Sequence, residues 1–234
     1  MILDKRADLG HGNVRKLLFS LSVPTITSQI VNMLYNLVDR VFIGHMQPAE
    51  TVGKLALTGV GVCLPIIMVI SAFASLMAIG GAPRASIAEG AGESERSERI
   101  MGNCLTMLII TALVLTVLFE AFAEPLLLMF GASENTIGYA LDYMRIYALG
   151  TIFVQLTLGM NAYITAQGFA TVSMETVLIG ALLNTALDPL FIFVLGLGVR
   201  GAALATVLSQ AVSAAWVMTF LTGRKTRWRL QKKN

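Results

Sequence analysis

The stretch Gly180-Ala-Leu-Leu-Asn-Thr-Ala-Leu-Asp-Pro-Leu-Phe-Ile-Phe193 sets an amide, a carboxylate and a proline inside an apolar run long enough to cross a bilayer. Twelve Leu, Ile, Val or Phe residues lie between Val177 and Leu195. They favour insertion by about 4 to 7 kcal/mol, against about 3 kcal/mol for Asp188, so the segment enters the membrane in spite of its acid. A second acid, Asp39, ends the run Ser28-Gln-Ile-Val-Asn-Met-Leu-Tyr-Asn-Leu-Val-Asp39 at a similar depth. Carboxylates retained inside spans at that cost point to ion handling.

Around these two runs the whole chain is apolar. Of 234 residues, 56% are hydrophobic and 13% charged, and the mean hydropathy is +0.73, which places the chain among all-α polytopic membrane proteins. Six segments are mostly apolar over the roughly 20 residues that a span needs, at about residues 17–43, 55–79, 100–122, 137–163, 176–195 and 202–221. The expected architecture is a six-helix bundle over residues 1–222 followed by a basic linker at 223–234. The first apolar run is too long for a signal peptide and no small-residue cleavage site follows it, so the first helix is expected to remain.

Basic residues give the orientation. With a cytoplasmic amino terminus, thirteen of the 17 Lys and Arg residues fall on the inner face, and only Arg40, Lys54, Arg145 and Arg200 remain for the outer one. The positive-inside rule therefore places both termini in the cytoplasm of a multi-pass protein of the cell (inner) membrane. The cluster Arg224 to Lys233 reads as an anchor at the inner face of the lipid bilayer, with no nucleic acid as partner. Residues 84–99 mix both charges with small residues and read as a solvated cytoplasmic connector, with a short helix as its alternative form, while Ser133 is expected to cap the fourth helix.

Helical spacing assembles a polar constellation. Asn32, Asn36 and Asp39 follow i, i+4, i+7 and line one face of the first span, extended by Ser28 or Gln29. The amides alone would serve as an interhelical seam, but a seam has no need of a charge. Asn184 and Asp188 share a face of the fifth span, and Pro189 leaves the carbonyl of Thr185 without its helical donor. Amide oxygen, carboxylate and loosened carbonyl suit Na⁺, or a carboxylate that carries a proton. Asp142 and Arg145, three apart, are expected to pair locally, and Arg40 is badly placed to neutralise Asp39. Twelve methionines read as core filler, with an adaptable drug pocket as the functional alternative.

Other chemistry lacks its parts. Cys63 and Cys104 lie in spans without metal-ligand spacing and read as packing residues. No Gly-rich nucleotide loop opens a helix in the right context, and no repeat of about 20 to 50 residues is visible. His11 and His45 form no motif with Asp188, so a membrane enzyme is not expected, and neither is a cofactor or a metal beyond Na⁺.

Five segments together resemble the multidrug and toxic compound extrusion (MATE) transporters, bacterial drug-efflux members among them: Ser22-Val-Pro-Thr-Ile26, Asn36-Leu-Val-Asp-Arg-Val-Phe-Ile-Gly-His45, Tyr163-Ile-Thr-Ala-Gln-Gly168, Leu183-Asn-Thr-Ala-Leu-Asp-Pro189 and Gly198-Val-Arg-Gly-Ala-Ala-Leu-Ala-Thr206. The resemblance implies a secondary antiporter that expels drugs, often organic cations, by alternating access driven by inward Na⁺ or H⁺. It maps a coupling-cation site onto Asp39, Asn184, Asp188 and Thr206. It also matches Pro24 to a bend in the first helix and Tyr143 and Asn161 to the cavity, which the stripe extends with Asn32 and Asn36. Family members resemble two six-helix lobes in one chain about twice this length. The expectation is thus an amino-terminal lobe, completed by a second lobe or by another copy. The alternatives are a lipid-linked-precursor flippase of the same superfamily, disfavoured by the scarcity of inward-facing basic residues, and an inactive truncated remnant.

Overall fold

The computed structural model describes residues 14–223 together with 226, 228 and 230, and among these every regular element is helical. Helix α1 runs Val14–Gly44, α2 Lys54–Val62, α3 Leu64–Gly90, α4 Ser94–Ala121 and α5 Ala123–Met129. Then follow α6 at Ile137–Leu149, α7 at Thr151–Ala166, α8 at Ala170–Pro189 and α9 at Val199–Thr222. Single π-helical turns at Ala49–Gly53 and Leu190–Val194 precede α2 and follow α8. Lys5, Arg6, His11 and most of the basic tail lie outside the described residues.

Among the described residues five stretches are long and apolar enough to span a membrane: Leu17–Gly44, Thr51–Gly90, Ser94–Ala121, Ala170–Val194 and Val199–Thr222. Helices α6 and α7 make a sixth when taken as one span bent by 56°. The sequence pattern gives one span there, at about residues 137–163. The bend falls at Gly150, whose bare Cα lets Val207 of α9 press against it; a Cβ would come within 2.4 Å of a Val207 methyl carbon. Thr116 of α4 then donates to the Ala148 carbonyl at 2.9 Å, just before the break.

The expected solvated connector at residues 84–99 is mostly helix. Helix α3 runs on to Gly90, only Ala91 to Glu93 turn, and α4 begins at Ser94. Gly92 supplies the turn with φ +81°, a conformation open to glycine. The mixed charges support the helix, with Arg96 bonded to Glu93 at 2.7 Å and Arg99 to Glu95 at 3.1 Å. Two further local expectations are corrected. Thr136 occupies the position before α6, and Ser133 one turn earlier accepts the Thr136 and Ile137 amides on its carbonyl. Asp142 pairs with Arg200 of α9 at 2.8 Å, across helices that pack together, where the sequence had paired it with Arg145.

The core has two centres, one toward each end of the bundle. Ile43, Val60, Cys63, Tyr143, Ile192 and Val199 gather at one, and Ala85, Met101, Ile164, Phe169, Leu221 and Trp228 at the other. Cys63 and Cys104 are free thiols packed among helices. The lipid-length helices keep large apolar side chains on their outer faces, as in Leu34 and Leu37 of α1 and Val114 and Val117 of α4. That surface is the complement of a hydrocarbon solvent.

Candidate cation site and adjoining cavity

Helix α8 presents Thr176, Gly180, Asn184 and Asp188 at four-residue spacing, and all four are buried. Helix α9 lies against this face because small residues permit it. A Cβ on Gly180 would sit 2.7 Å from Ser213 Oγ, and one on Gly201 would sit 2.7 Å from the Phe191 carbonyl. Ser213 Oγ donates to the Thr176 carbonyl at 3.2 Å. On α9, Thr206, Gln210 and Ser213 share a side by the same spacing and face α8 and α1.

Asn184 is the hub. Its Nδ2 donates to Asp188 Oδ1 at 3.1 Å and to Thr206 Oγ1 at 3.4 Å. Helix α1 packs along α8 and sets Asp39 beside Thr206 in the lining of one small cavity, near enough to Asp188 for the two carboxyls to interact electrostatically. Asp188 is 0% exposed, Asn184 2% and Asp39 7%. The sequence-derived set Asp39, Asn184, Asp188 and Thr206 therefore converges in space, from three helices.

Three buried acceptors in this cluster have no hydrogen-bond donor: Asp39 Oδ1, Asp188 Oδ2 and Asn184 Oδ1. Two facing carboxylates can only accept, so an ionised pair repels unless a proton or a cation lies between them. An uncompensated buried charge carries a heavy penalty. Carboxylate, amide and hydroxyl oxygens are the donor set of a hard cation. Among the described residues no three His, Cys, Asp or Glu side chains cluster as a metal centre, so any site here uses the amide and hydroxyl as well.

The remaining sequence-predicted residues spread around this cluster. Tyr143 of α6 borders the same small cavity as Thr206 and stacks on Tyr147 with ring centroids 5.9 Å apart. Together with Asn36 and Asp39 it lines a cavity of about 70 Å³. Asn36 turns its Nδ2 back to the Asn32 carbonyl at 2.6 Å and is exposed, so it borders the acids without bonding them. Arg40 borders the same cavity. Asn32 and Asn161 line a larger cavity of about 700 Å³ between α1, α3, α7, α8 and α9. Asn161 holds the Ser173 carbonyl at 3.1 Å with its Nδ2, and its Oδ1 is buried without a partner. Pro24 lies inside α1, outside both cavity linings, and its carbonyl accepts Ser28 Oγ at 2.8 Å. Among the described residues no methionine lines the large cavity, which favours the packing reading of the methionines.

Sequence reasoning missed Tyr35 and Gln210, which line both cavities. Ser28, Asn32, Tyr35 and Asp39 form an i, i+4, i+7, i+11 series, and Gln210 follows Thr206 by one turn, so the signal was present in the spacing.

With this geometry in place, comparison with known proteins is direct. The MatE family model matches residues 24–190, which takes in both acids and Asn184. The chain belongs to the MatE family. Its relatives include the multidrug export protein MepA of Staphylococcus haemolyticus, 28% identical over 91% of this chain and 46% of the relative. MepA of Staphylococcus aureus strain NCTC 8325 is 25% identical over 88% of this chain and 45% of its own. A crystal structure of MATE in the bent conformation superposes with a TM-score of 0.86 at 28% identity, over 94% of this chain and 48% of that one. The chain thus spans about half the length of the relatives it matches. The MatE proteins are multi-pass membrane transporters of the multidrug efflux type.

Proposed function

We propose that this chain is the amino-terminal, cation-binding lobe of a secondary antiporter that exports organic cations in exchange for Na⁺ or H⁺. The observation that carries this reading is the set of three donorless buried oxygens on Asp39 of α1 and on Asn184 and Asp188 of α8, beside Thr206 of α9. Such a set is stable when a proton or cation fills it and strained when it is empty, so occupancy biases how α1, α8 and α9 pack. Helix α1 is the element free to respond, since it packs mainly along α8 and is otherwise exposed.

The cavity of about 700 Å³ beside the site supplies room for a drug-sized guest, with Asn32 and Asn161 as polar contacts. Alternating access needs a second body to rock against, and the match to about half of each relative supports a second six-helix lobe as that body. Arg84, Arg96 and Arg99 lie at the same end of the bundle as the close of α9, which supports placing that end and both termini in the cytoplasm. On this reading the protein works in the cell membrane, with residues 1–222 as the lobe and 223–234 as its basic linker.

The test is export of an organic cation from vesicles by a two-lobed protein that carries this segment, with the sodium and proton gradients imposed separately. One gradient is expected to drive export, and Asp188→Asn to abolish it. Export driven equally well with both gradients collapsed would end the antiport reading.

A further inference from the structure

A cavity of about 670 Å³ lies between α3 and α4, next to the turn Ala91 to Glu93, and shares no lining residue with the two cavities described above. Its size is within the roughly 300–1,000 Å³ of small-molecule sites. Three charged residues line it: Arg84 of α3, Arg96 of α4 and Glu93 of the turn. Arg96 is bonded to Glu93 at 2.7 Å, while Arg84 is exposed and forms no ion pair with any described residue. Two arginines against one glutamate leave this rim with one net positive charge. Farther along the helices the wall is apolar, with Leu76 and Ile100 on its two sides. Gly80 leaves that wall open, since a Cβ there would meet nothing within 4 Å. Asn103 is the exception in the apolar part. It lies nine residues into α4, about 14 Å along the helix, and is exposed without a hydrogen bond to any described residue. An amide at that depth in a span lacks a partner unless the occupant of the groove supplies one.

We infer that the α3–α4 groove is a binding site for one singly charged anionic phospholipid of the phosphatidylglycerol kind. The order of groups along the groove is the order of groups along such a lipid. Arg84 lies six residues before the end of α3, about 9 Å from the water-facing turn, where its guanidinium and that of Arg96 can donate to a phosphate. Asn103 lies about 5 Å deeper, where its amide can donate to an ester carbonyl. Beyond it the open space over Gly80, between Leu76 and Ile100, takes an acyl chain. Basic pockets between spans at the membrane surface suit anionic headgroups for this reason. The single net charge of the rim balances one phosphodiester and leaves nothing for a second phosphate. This inference needs only that α3 and α4 span the membrane, and it stands apart from the antiport reading.

The test uses this 234-residue chain in detergent micelles, titrated with phosphatidylglycerol and separately with phosphatidylcholine of the same acyl chains. Native mass spectrometry counts the bound lipids and gives each Kd. One phosphatidylglycerol is expected to bind about fivefold tighter than phosphatidylcholine, the worth of one net charge at a membrane surface. Arg84→Gln should erase that preference, weakening phosphatidylglycerol by about fivefold. Gly80→Leu should weaken both lipids by about tenfold, since its side chain displaces roughly two acyl methylenes. Asn103→Leu should weaken both by about fivefold through the lost hydrogen bond. Arg99→Gln, which alters an exposed arginine paired with Glu95 outside the lining, should change neither. Equal native affinity for the two lipids would overturn the site. A loss in Arg99→Gln as large as in Arg84→Gln would reduce it to diffuse charge attraction and overturn it too. Unchanged binding in Gly80→Leu, or displacement of the lipid by glycerol 3-phosphate at equal concentration, would show a phosphate site without a chain groove and overturn the lipid. Arg84 is exposed and makes no ion pair with a described residue, so its replacement leaves the fold intact and decides the outcome even where another variant fails to fold.

Discussion

Replacing Asp188 with Asn should stabilise the unliganded protein and abolish its response to cations, two effects of opposite sign from one atom change. The side chain keeps its shape, and its oxygen still accepts Asn184 Nδ2, now at 3.1 Å. What disappears is a fully buried charge that faces Asp39. Burial of a carboxylate at this depth costs about 3 kcal/mol on the lenient scale, and its partners recover part of that, so a net gain of about 1 to 3 kcal/mol follows. For a chain of this size each kcal/mol moves Tm by about 2–4 °C, giving a rise of about 2–12 °C. The native protein at a cation concentration a hundredfold above its Kd gains about 2.7 kcal/mol by mass action, and the variant should gain none. Thermal unfolding in nanodiscs, titrated with Na⁺ against K⁺ and separately with pH, reads both effects. A variant that melts lower than native without cation, or that keeps the native cation-induced rise, would refute the reasoning.

Other consequences test the packing and the pairing. Asp39→Asn and Asp188→Asn should not add: because the carboxyls face each other, a double-mutant cycle on cation affinity is expected to show a coupling of about 0.5–3 kcal/mol. Gly201→Ala places a Cβ against the Phe191 backbone, which cannot give way as a side chain can, and should cost about 1–3 kcal/mol in thermal unfolding. Trp228→Ala should cost about 3–5 kcal/mol, since the ring is 1% exposed and its residue amide is held by Gln167 Oε1 at 3.2 Å. Arg200→Ala removes an exposed pair with Asp142 and should change stability by less than about 1 kcal/mol.

The helices and the acids were legible because each is a local pattern. Apolar length marks a span, and a four-residue spacing puts Asn184 beside Asp188 whatever surrounds them. The convergence of Asp39 and Thr206 on that pair is not local, and it came from the resemblance to a family. What stayed hidden depended on partners distant in sequence. The bend at Gly150 falls where Val207 of α9 packs against a bare Cα, and Asp142 turns from Arg145 to a cation 58 residues away. Residues 84–99 read as a solvated connector with a short helix as the alternative, and i, i+3 and i, i+4 pairing makes their charges support for the helices that run through most of it. Tyr35 was passed over for Asn36 because an amide is the more obvious polar residue, yet the tyrosine is the half-buried one of the two and Asn36 is exposed.

The central claim is that Asp39, Asn184 and Asp188 hold one exchangeable cation between helices α1 and α8, beside Thr206 of α9. Its most direct test is equilibrium binding of radiolabelled Na⁺ to the purified chain, paired with proton release or uptake on the same samples. The native protein should bind Na⁺ in place of a proton, or take up a proton where Na⁺ does not bind, and Asp39→Asn combined with Asp188→Asn should do neither. A double variant that still binds Na⁺ or exchanges the proton as the native chain does would place the coupling site elsewhere and contradict the account.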